Sequence, residues 1–229
     1  MAINRRTQEE RAREDLEHRC HVFRERLAQP DFLANKGIGN EIGFYTFCYE
    51  PSLEFEVRAY IEDLQRDAEC GALPCNLKVI NLYDAFLTLC ENKRILKAIP
   101  KQELKTGTQR QRDQLQKICG PAAFAKYILE QTQPHEPGDV ILITGVGEVY
   151  PFLRAHDLLN NMLADFGDVP VVIAYPGSFN GQQFRLFNRL GADNYYRAFD
   201  IPGSSHGNSR PFCQRHQPFH QRRGQGAGR

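Results

Sequence analysis

The sequence predicts an α/β protein, a Rossmann-like three-layer sandwich in which helices cover both faces of a mostly parallel sheet. Strand-like and helix-like segments alternate along most of the chain, a pattern that produces parallel pairing through crossover connections. Residues 140–144 and 171–175 are almost entirely apolar, as expected of strands covered on both faces. The length of 229 residues favours one sizeable core over two.

An amphipathic helix is the first predicted element and occupies residues 1–30. Thr7 and Glu10 match a capping box, in which a hydroxyl and a carboxylate accept hydrogen bonds from free backbone N–H groups, so the helix is predicted to start at Thr7. Pro30 is predicted to end it. Its apolar positions recur at spacings of four, three and four and are Leu16, Cys20, Phe23 and Leu27. That face either packs on the domain edge or docks a partner, and both interpretations are open.

The main domain is predicted to span residues 31–201 and to begin with two strand–helix pairs. The aromatic-rich residues 44–49 are the first strand, and Gly71 caps the helix that follows it. The apolar stripe of that helix is Leu53, Val57, Ile61 and Leu64. Residues 76–83 are the second strand, and Asp84 is the predicted N-cap of the next helix.

The second half of this domain starts with a broken helical region, interrupted at Gly107 and Gly120. Its stretch 101–117 is rich in Gln, Arg and Lys and is predicted to be an exposed insert or hinge. Further along the chain a central strand is predicted at residues 140–144, and a turn at 145–147 leads into a helix that extends to Phe166. A strand at 171–175, a short helix at 181–190 and a last strand at 195–201 are predicted after it.

Residues 202–229 differ from the domain, because they contain no Asp, Glu, Leu, Ile or Val and cannot bury enough apolar area to fold. They are predicted to be a disordered basic tail, whose five arginines could add non-specific affinity for phosphate. The net charge of the whole chain is only +1, so any attraction to nucleic acid must be local.

Several classes of protein are not expected from the composition. No stretch approaches the ~20 apolar residues of a membrane span, and the first residues lack the apolar segment of a signal peptide, so a cytoplasmic protein is predicted. The seven cysteines are scattered and are predicted to be reduced thiols, most of them buried. Cys70 and Cys75 lack a second ligand pair, so neither a metal nor another cofactor is predicted.

The turn after residues 140–144 begins like a dinucleotide-binding turn, with Gly145 and Gly147. Tyr150 occupies the position of the third glycine, and Glu148 would repel a pyrophosphate. The chain also lacks a P-loop motif. A nucleotide site at this turn is therefore not expected.

Polar and aromatic side chains nevertheless collect around the predicted strand ends. The candidate functional cluster consists of Gly145, Gly147, Glu148, Tyr150, Arg154, His156, Tyr175 and Asn180. His156 with Asp157 is its best acid–base candidate, but a general base needs a pocket and a partner that tunes its pKa. The sequence shows neither, so no complete active site is predicted.

Several segments resemble one known family. They are 39–45, 144–154, His156 with 158–161, 166–172, 175–177 and 193–199, and the run Thr-Gly-Val-Gly-Glu-Val-Tyr-Pro-Phe-Leu-Arg at 144–154 is the most specific. These segments resemble the BrxB family of BREX, a bacterial defence system against phage. The resemblance covers about residues 32–201, and the tail departs from it.

The resemblance implies a role in blocking foreign DNA beside a methyltransferase, a large ATPase and the phosphatase-like protein PglZ. It implies a non-catalytic assembly or adaptor subunit, not an enzyme, that supports host DNA methylation and phage restriction through protein contacts. PglZ is the most plausible partner, and association with DNA would be indirect, through the complex. Two alternatives stay open: an enzyme or nucleotide-binding module that uses the cluster from Glu148 to His156, and a nucleic-acid binder that acts through the tail.

Overall fold

A parallel five-stranded sheet forms the middle layer of the protein in a computed structural model, which describes residues 2–35, 43–191, 193–194 and 198–201. The strands in chain order are β1 (Phe44–Tyr49), β2 (Asn76–Asn81), β3 (Asp139–Thr144), β4 (Val171–Phe179), β5 (Gln183–Leu186), β6 (Asp193–Asn194) and β7 (Ala198–Asp200). The parallel strands have the order β2-β3-β4-β1-β7. Three predicted features lie wholly or partly outside the described residues. They are the tail at 202–229, the glycine-rich turn at 37–43 and the last strand at 195–201.

Helices cover both faces of the sheet. They are α1 (Ala2–Leu27), α2 (Pro30–Leu33), α3 (Glu54–Glu69), α4 (Leu82–Asn92), α5 (Ile99–Thr106), α6 (Thr108–Ile118), α7 (Pro121–Thr132), α8 (Val146–Val149) and α9 (Ala155–Met162). Two 3₁₀ turns, Pro51–Leu53 and Leu96–Ala98, precede α3 and α5. The predicted α/β sandwich with a mostly parallel sheet is confirmed.

The two layers of helices have separate apolar cores because side chains alternate along each strand. Phe44 and Cys48 of β1 face α4, α6, α7 and α9, whereas Tyr45, Phe47 and Tyr49 face α1 and α3. The same alternation runs through the apolar residues 140–143 of β3 and 171–175 of β4, all of which are buried on one face or the other. This explains the nearly continuous apolar runs in the sequence.

The helix α1 packs its apolar stripe against the sheet. Leu16, Phe23 and Leu27 are buried, so of the two interpretations left open for this stripe, the structure shows the one in which it packs on the domain. Arg19 extends the contact, because its guanidinium lies 3.3 Å from the Asp200 carboxylate and also donates to the carbonyl of Ile201. The boundaries 1–30, 31–201 and 202–229 stay a prediction.

Three predicted details at element ends are wrong. The helix α1 is already present at Ala2, before the predicted cap at Thr7. The N-cap of α4 is Asn81, whose Oδ1 accepts hydrogen bonds from the backbone N–H groups of Tyr83 and Asp84, so the role predicted for Asp84 belongs to a residue three positions earlier. The single helix predicted between the turn at 145–147 and Phe166 is two helices, α8 and α9, separated by a turn at 150–152 and two irregular residues.

Two larger corrections concern the sheet. The central parallel strand is β4, not β3, because β1 lies beyond β4 in the strand order. The short helix predicted at 181–190 is instead a strand, β5, that pairs antiparallel with the end of β4. Phe184 and Leu186 are buried while Gln183 and Arg185 are exposed, which is the two-residue period of a strand.

Most described cysteines are buried, as predicted: Cys48, Cys75, Cys90 and Cys119 are buried, Cys20 is half-buried, Cys70 is exposed, and all six are free thiols. Cys213 lies outside the described residues. None of the helices in the described part of the chain combines the length and apolarity needed to span a membrane.

Candidate functional site at the carboxyl edge of the sheet

Ligands in open α/β sheets bind beyond the carboxyl ends of the strands, where neighbouring connections leave on opposite faces. In this protein the helix α3 leaves β1 on one face, whereas α8 and α9 follow β3 on the other. The strands β3, β4 and β1 are adjacent, so the crevice to inspect lies at their carboxyl ends. Most of the predicted cluster is found there.

The first glycine of the turn after β3 serves contact between two loops. Gly145 has a left-handed backbone with φ of 73°, which glycine adopts without the strain that other residues incur. A Cβ atom at this position would lie 2.6 Å from Oδ1 of Asn81, the atom that caps α4. The glycine therefore lets the turn after β3 approach the end of β2 closely.

The second glycine of the turn accommodates a side chain from another part of the chain. A Cβ atom at Gly147 would lie 2.8 Å from the ring of Phe187 and 3.2 Å from Pro176. Phe187 follows β5, and its backbone N–H donates to the carbonyl of Pro176. The space that a dinucleotide fingerprint reserves for close approach of a pyrophosphate is thus occupied by an aromatic ring.

Glu148 belongs to a chain of polar contacts that crosses the crevice. Its carboxylate lies 2.7 Å from Arg58 of α3 and accepts a hydrogen bond from the Asn81 amide at 3.3 Å. Arg58 also contacts Glu54 at 2.9 Å, and Glu54 accepts a 2.7 Å hydrogen bond from the Tyr49 hydroxyl. We call these five residues the crevice bridge. The bridge joins α3, α8 and the ends of β1 and β2.

Electrostatics within the crevice bridge favour its present ionisation. The hydrogen bonds that Arg58 donates to Glu54 and then to Glu148 raise the pKa of Arg58, so its charge is retained. Burial raises the pKa of the Tyr49 hydroxyl, and the neighbouring Glu54 carboxylate raises it further, so Tyr49 stays a hydrogen-bond donor. The bridge holds two carboxylates, one cation and two neutral groups, all of which have partners.

Three residues of the predicted cluster line a groove beside the bridge. Tyr150, Arg154 and Tyr175 border a space of about 240 Å³, together with apolar groups of Val146, Leu153, Ala155, Leu186, Leu190 and Gly191. A second groove of about 210 Å³ lies on the other side of Leu153 and Arg154, lined also by Gln116, Pro121, Pro151, Phe152 and Asp157. We call the two spaces the first and second grooves.

The segment between the grooves is held by contacts on both sides. Phe152 stacks on Phe86 of α4 with ring centroids 4.6 Å apart. The side-chain amide of Gln116 donates to the carbonyl of Pro151 at 2.6 Å. Leu153 is buried below, whereas Arg154 is exposed at the N-cap of α9. The last part of the specific run, residues 150–154, is therefore a fixed segment with one exposed cation, which we call the ridge.

The remaining two candidates lie outside the first groove. His156 is half-buried in the first turn of α9, and its Nε2 lies 3.2 Å from the Asp157 carboxylate, so the predicted pair does form. Asn180 is exposed at the tip of the β4–β5 hairpin, where its Oδ1 accepts hydrogen bonds from the N–H groups of Gln182 and Gln183. Neither residue is among the described residues that line the first groove with Tyr150.

Sequence reasoning missed the partners that the other elements bring to this edge. Glu54 and Arg58 have the spacing of four that allows an ion pair on one helix, and this signal was available. Nothing local pointed Phe187 towards Gly147, because the contact requires the β4–β5 hairpin. Among the described residues, no group of three or more His, Cys, Asp or Glu side chains is arranged to hold a metal ion.

Comparisons with known proteins give a consistent result. The family model described as "BREX protein BrxB" matches residues 78–201. A "BREX protein BrxB" of Bacillus cereus (strain H3081.97) is 34% identical over 180 residues, which are 77% of this chain and 92% of that protein. A protein with the same description from Escherichia coli O9:H4 (strain HS) is 29% identical over 186 residues, 81% of this chain and 91% of the relative. No solved structure shows a significant match.

Proposed function

This chain belongs to the BrxB family and is a BREX component, and on that premise we propose that it is a non-catalytic assembly subunit of a cytoplasmic phage-defence complex. It supports host DNA methylation and phage restriction by holding other components together. The PglZ phosphatase-like protein is the proposed direct partner. DNA is contacted through the complex in this proposal.

The observation that carries the proposal is the dispersal of the candidate cluster. Glu148 is engaged by Arg58 and Asn81 in the crevice bridge, and Asn180 caps a hairpin turn. Among the described residues, the lining of the first groove includes Tyr150, Arg154 and Tyr175 but neither His156 nor a carboxylate. An acid–base mechanism needs its groups within hydrogen-bond reach of one substrate. A fixed ridge between two shallow grooves is better suited to contact with another protein.

The ridge at 150–154 is the proposed contact surface. A partner segment could lie across it with one side chain in each groove, while the exposed Arg154 between the grooves pairs with a carboxylate. Arginine and tyrosine are enriched among residues that dominate binding energy at interfaces, which suits Arg154 and Tyr150. The ridge is also the most specific part of the family resemblance.

A recovery experiment tests this proposal. The tagged full chain is purified from cells that carry the whole defence operon, and the retained proteins are identified by mass. We expect stoichiometric recovery of the phosphatase-like protein, and a loss of at least about tenfold with Arg154→Glu, since charge reversal inside an interface places like charges together. Arg11→Glu is the matched control, because Arg11 is exposed on α1 at the opposite face of the sheet.

Recovery of no partner by the unmodified chain would contradict the assembly role. Equal recovery by Arg154→Glu and Arg11→Glu would move the contact surface away from the ridge while keeping the role.

One observation favours the alternative of a small-molecule site. The first groove combines a cation, two tyrosines and apolar walls, although its volume of about 240 Å³ is below the roughly 300 to 1,000 Å³ of typical ligand sites. A ligand whose thermal stabilisation of the protein disappears with Arg154→Ala would establish this alternative.

A further inference from the structure

The segment 93–118 differs in charge from the remainder of the molecule. It comprises the turn after α4, the 3₁₀ turn Leu96–Ala98, α5 and α6, and we call it the basic arm. It contains eight lysine and arginine residues against two carboxylates. The whole chain has a net charge of +1, so the remainder of the chain is net negative. The basic arm is therefore a local excess of positive charge inside the folded domain that the overall composition conceals.

The cations of the basic arm are displayed to solvent. Seven are exposed: Lys93, Arg94, Lys97, Lys101, Lys105, Arg110 and Lys117. Among the described residues none of these seven forms an ion pair, in contrast to Arg112, which contacts Asp113. The other carboxylate of the arm, Glu103, is only half-exposed. The positive potential of the arm is therefore not cancelled by local carboxylates.

Three of these lysines recur at a regular interval. Lys97, Lys101 and Lys105 are four residues apart along the helical stretch 96–106. At the rise of a helix they follow one another at about 6 Å. On α6, Arg110 and Lys117 are seven residues apart and share a face. A row of cations at this interval suits a linear anion with closely spaced charges better than a single carboxylate.

The arm is anchored to the domain and does not hang from it. Leu115 of α6 is buried in the core, and Ile95, Leu96 and Ile99 pack against that core. The amide of Gln116 also donates to the carbonyl of Pro151. Because the backbone that carries the lysines is fixed in this way, binding would order only their side chains.

We propose that the basic arm binds the phosphate backbone of nucleic acid without reading its base sequence. The inference goes beyond the assembly role, since it is a direct contact made by this chain and holds whether or not the ridge binds a protein. Phosphate contacts come from Lys and Arg and from neutral hydrogen-bonding side chains. The exposed neutral residues of the arm include such groups: Gln102, Thr106, Thr108, Gln109 and Gln114.

An acidic protein surface is the competing partner, and the arm is less suited to it. Protein interfaces have an apolar or aromatic centre that loses its water on binding. The large exposed apolar side chains of the arm are Leu104, with 90% exposure, and Ile118, on different helices. Single exposed apolar residues are common on protein surfaces and do not make an interface.

The test measures fluorescence anisotropy of a labelled duplex of random sequence with the full chain across a range of salt concentrations. Binding that releases counterions gives a linear plot of log affinity against log salt. The triple variant Lys97→Gln, Lys101→Gln, Lys105→Gln should reduce the magnitude of that slope by about 3, or about 1 for each lysine, equally for different sequences. The matched control removes three exposed charges elsewhere and should keep the slope; it is the triple variant Arg11→Gln, Lys126→Gln, Arg185→Gln.

Three outcomes would overturn the proposal. An equal decrease of the salt slope in both triple variants would mean that only the overall charge matters. If changing the five tail arginines to Gln decreases the salt slope and the triple variant of the arm does not, the binding lies in the tail. An arm triple that keeps its affinity for DNA but no longer recovers a partner from cells, with Leu104→Ala doing the same, would mean that the arm docks an acidic protein.

Discussion

The charged side chains of the crevice bridge contact one another, whereas the exposed cations of the basic arm form no ion pairs with the described residues. Arg58 contacts two carboxylates, and Glu148 contacts both Arg58 and Asn81. The exposed cations of residues 93–117 have no such contacts among the described residues. Paired charges connect elements and contribute to the stability of the fold, whereas unpaired charges do not and are available for a ligand. The difference indicates that the charges of the basic arm, and not those of the crevice bridge, are the ones that can bind a charged ligand.

The most buried paired charge gives the largest expected effect. Asp139 at the start of β3 is 2% exposed, and its carboxylate contacts Lys78 at 2.7 Å, the Asn76 amide at 2.8 Å and the backbone N–H of Glu136 at 2.9 Å. Asp139→Ala should lower the free energy of unfolding by about 3 kcal/mol, because it leaves a half-buried lysine without its counterion. Urea denaturation measures the change.

The pH dependence of stability provides the control for this variant. Burial by itself would raise the pKa of Asp139, but Lys78, Glu136 and Asn76 together lower it. The ionised carboxylate stabilises the fold when the pH is above the pKa of Asp139 in the unfolded chain, which is about 3.9. That contribution is lost as the pH falls through the lower pKa of Asp139 in the folded protein. Asp139→Asn should lack the part of the loss of stability that begins at about pH 4 and grows as the pH is lowered further. An unchanged pH profile in the Asn variant would contradict the assignment.

The crevice bridge should give an intermediate effect. Arg58 and Glu148 are a pair with side chains 43% and 33% exposed, so solvent screens their attraction. A double-mutant cycle with Arg58→Ala and Glu148→Gln should give a coupling energy of about 0.5 kcal/mol in urea denaturation. A coupling energy of zero would show that the pair does not join α3 to α8.

The basic arm should give the smallest effect on stability. Changing Lys97, Lys101 and Lys105 to Gln should shift the free energy of unfolding by less than about 0.5 kcal/mol, because no contact is removed. The same denaturation experiment measures it beside the bridge variants. A loss as large as that of Asp139→Ala would mean that these lysines have structural partners and would remove the contrast between paired and unpaired charge.

Local patterns were sufficient for the long parallel strands and for the helix α3 that packs on them. The residues of β1, β3 and the first half of β4 were identified by their apolar and aromatic runs, and α3 by Leu53, Val57, Ile61 and Leu64, of which all four are buried. Each of these signals arises from burial within a single element. The family resemblance at 144–154 was likewise readable from adjacent residues.

The candidate site was less predictable because its contacts join distant parts of the chain. Asn180 and Gly181 mark the turn of the β4–β5 hairpin, a recognised turn signal, yet the residues after them were assigned to a helix. Because of this error the sequence did not predict that the ring of Phe187 lies beside Gly147. Of the eight candidate residues, only Tyr150, Arg154 and Tyr175 meet at one groove.

The sequence by itself determined the α/β class, the principal strands and helices and the family, because each depends on the order of residues along the chain. It also located the Lys- and Arg-rich segment. Tertiary structure alone decided that β4 is central, that Glu148 pairs with Arg58 and that the lysines of the basic arm have no such partner within the described part of the chain. The physical reason is that strand order and charge pairing depend on distances between residues remote in sequence, which only packing of the elements sets.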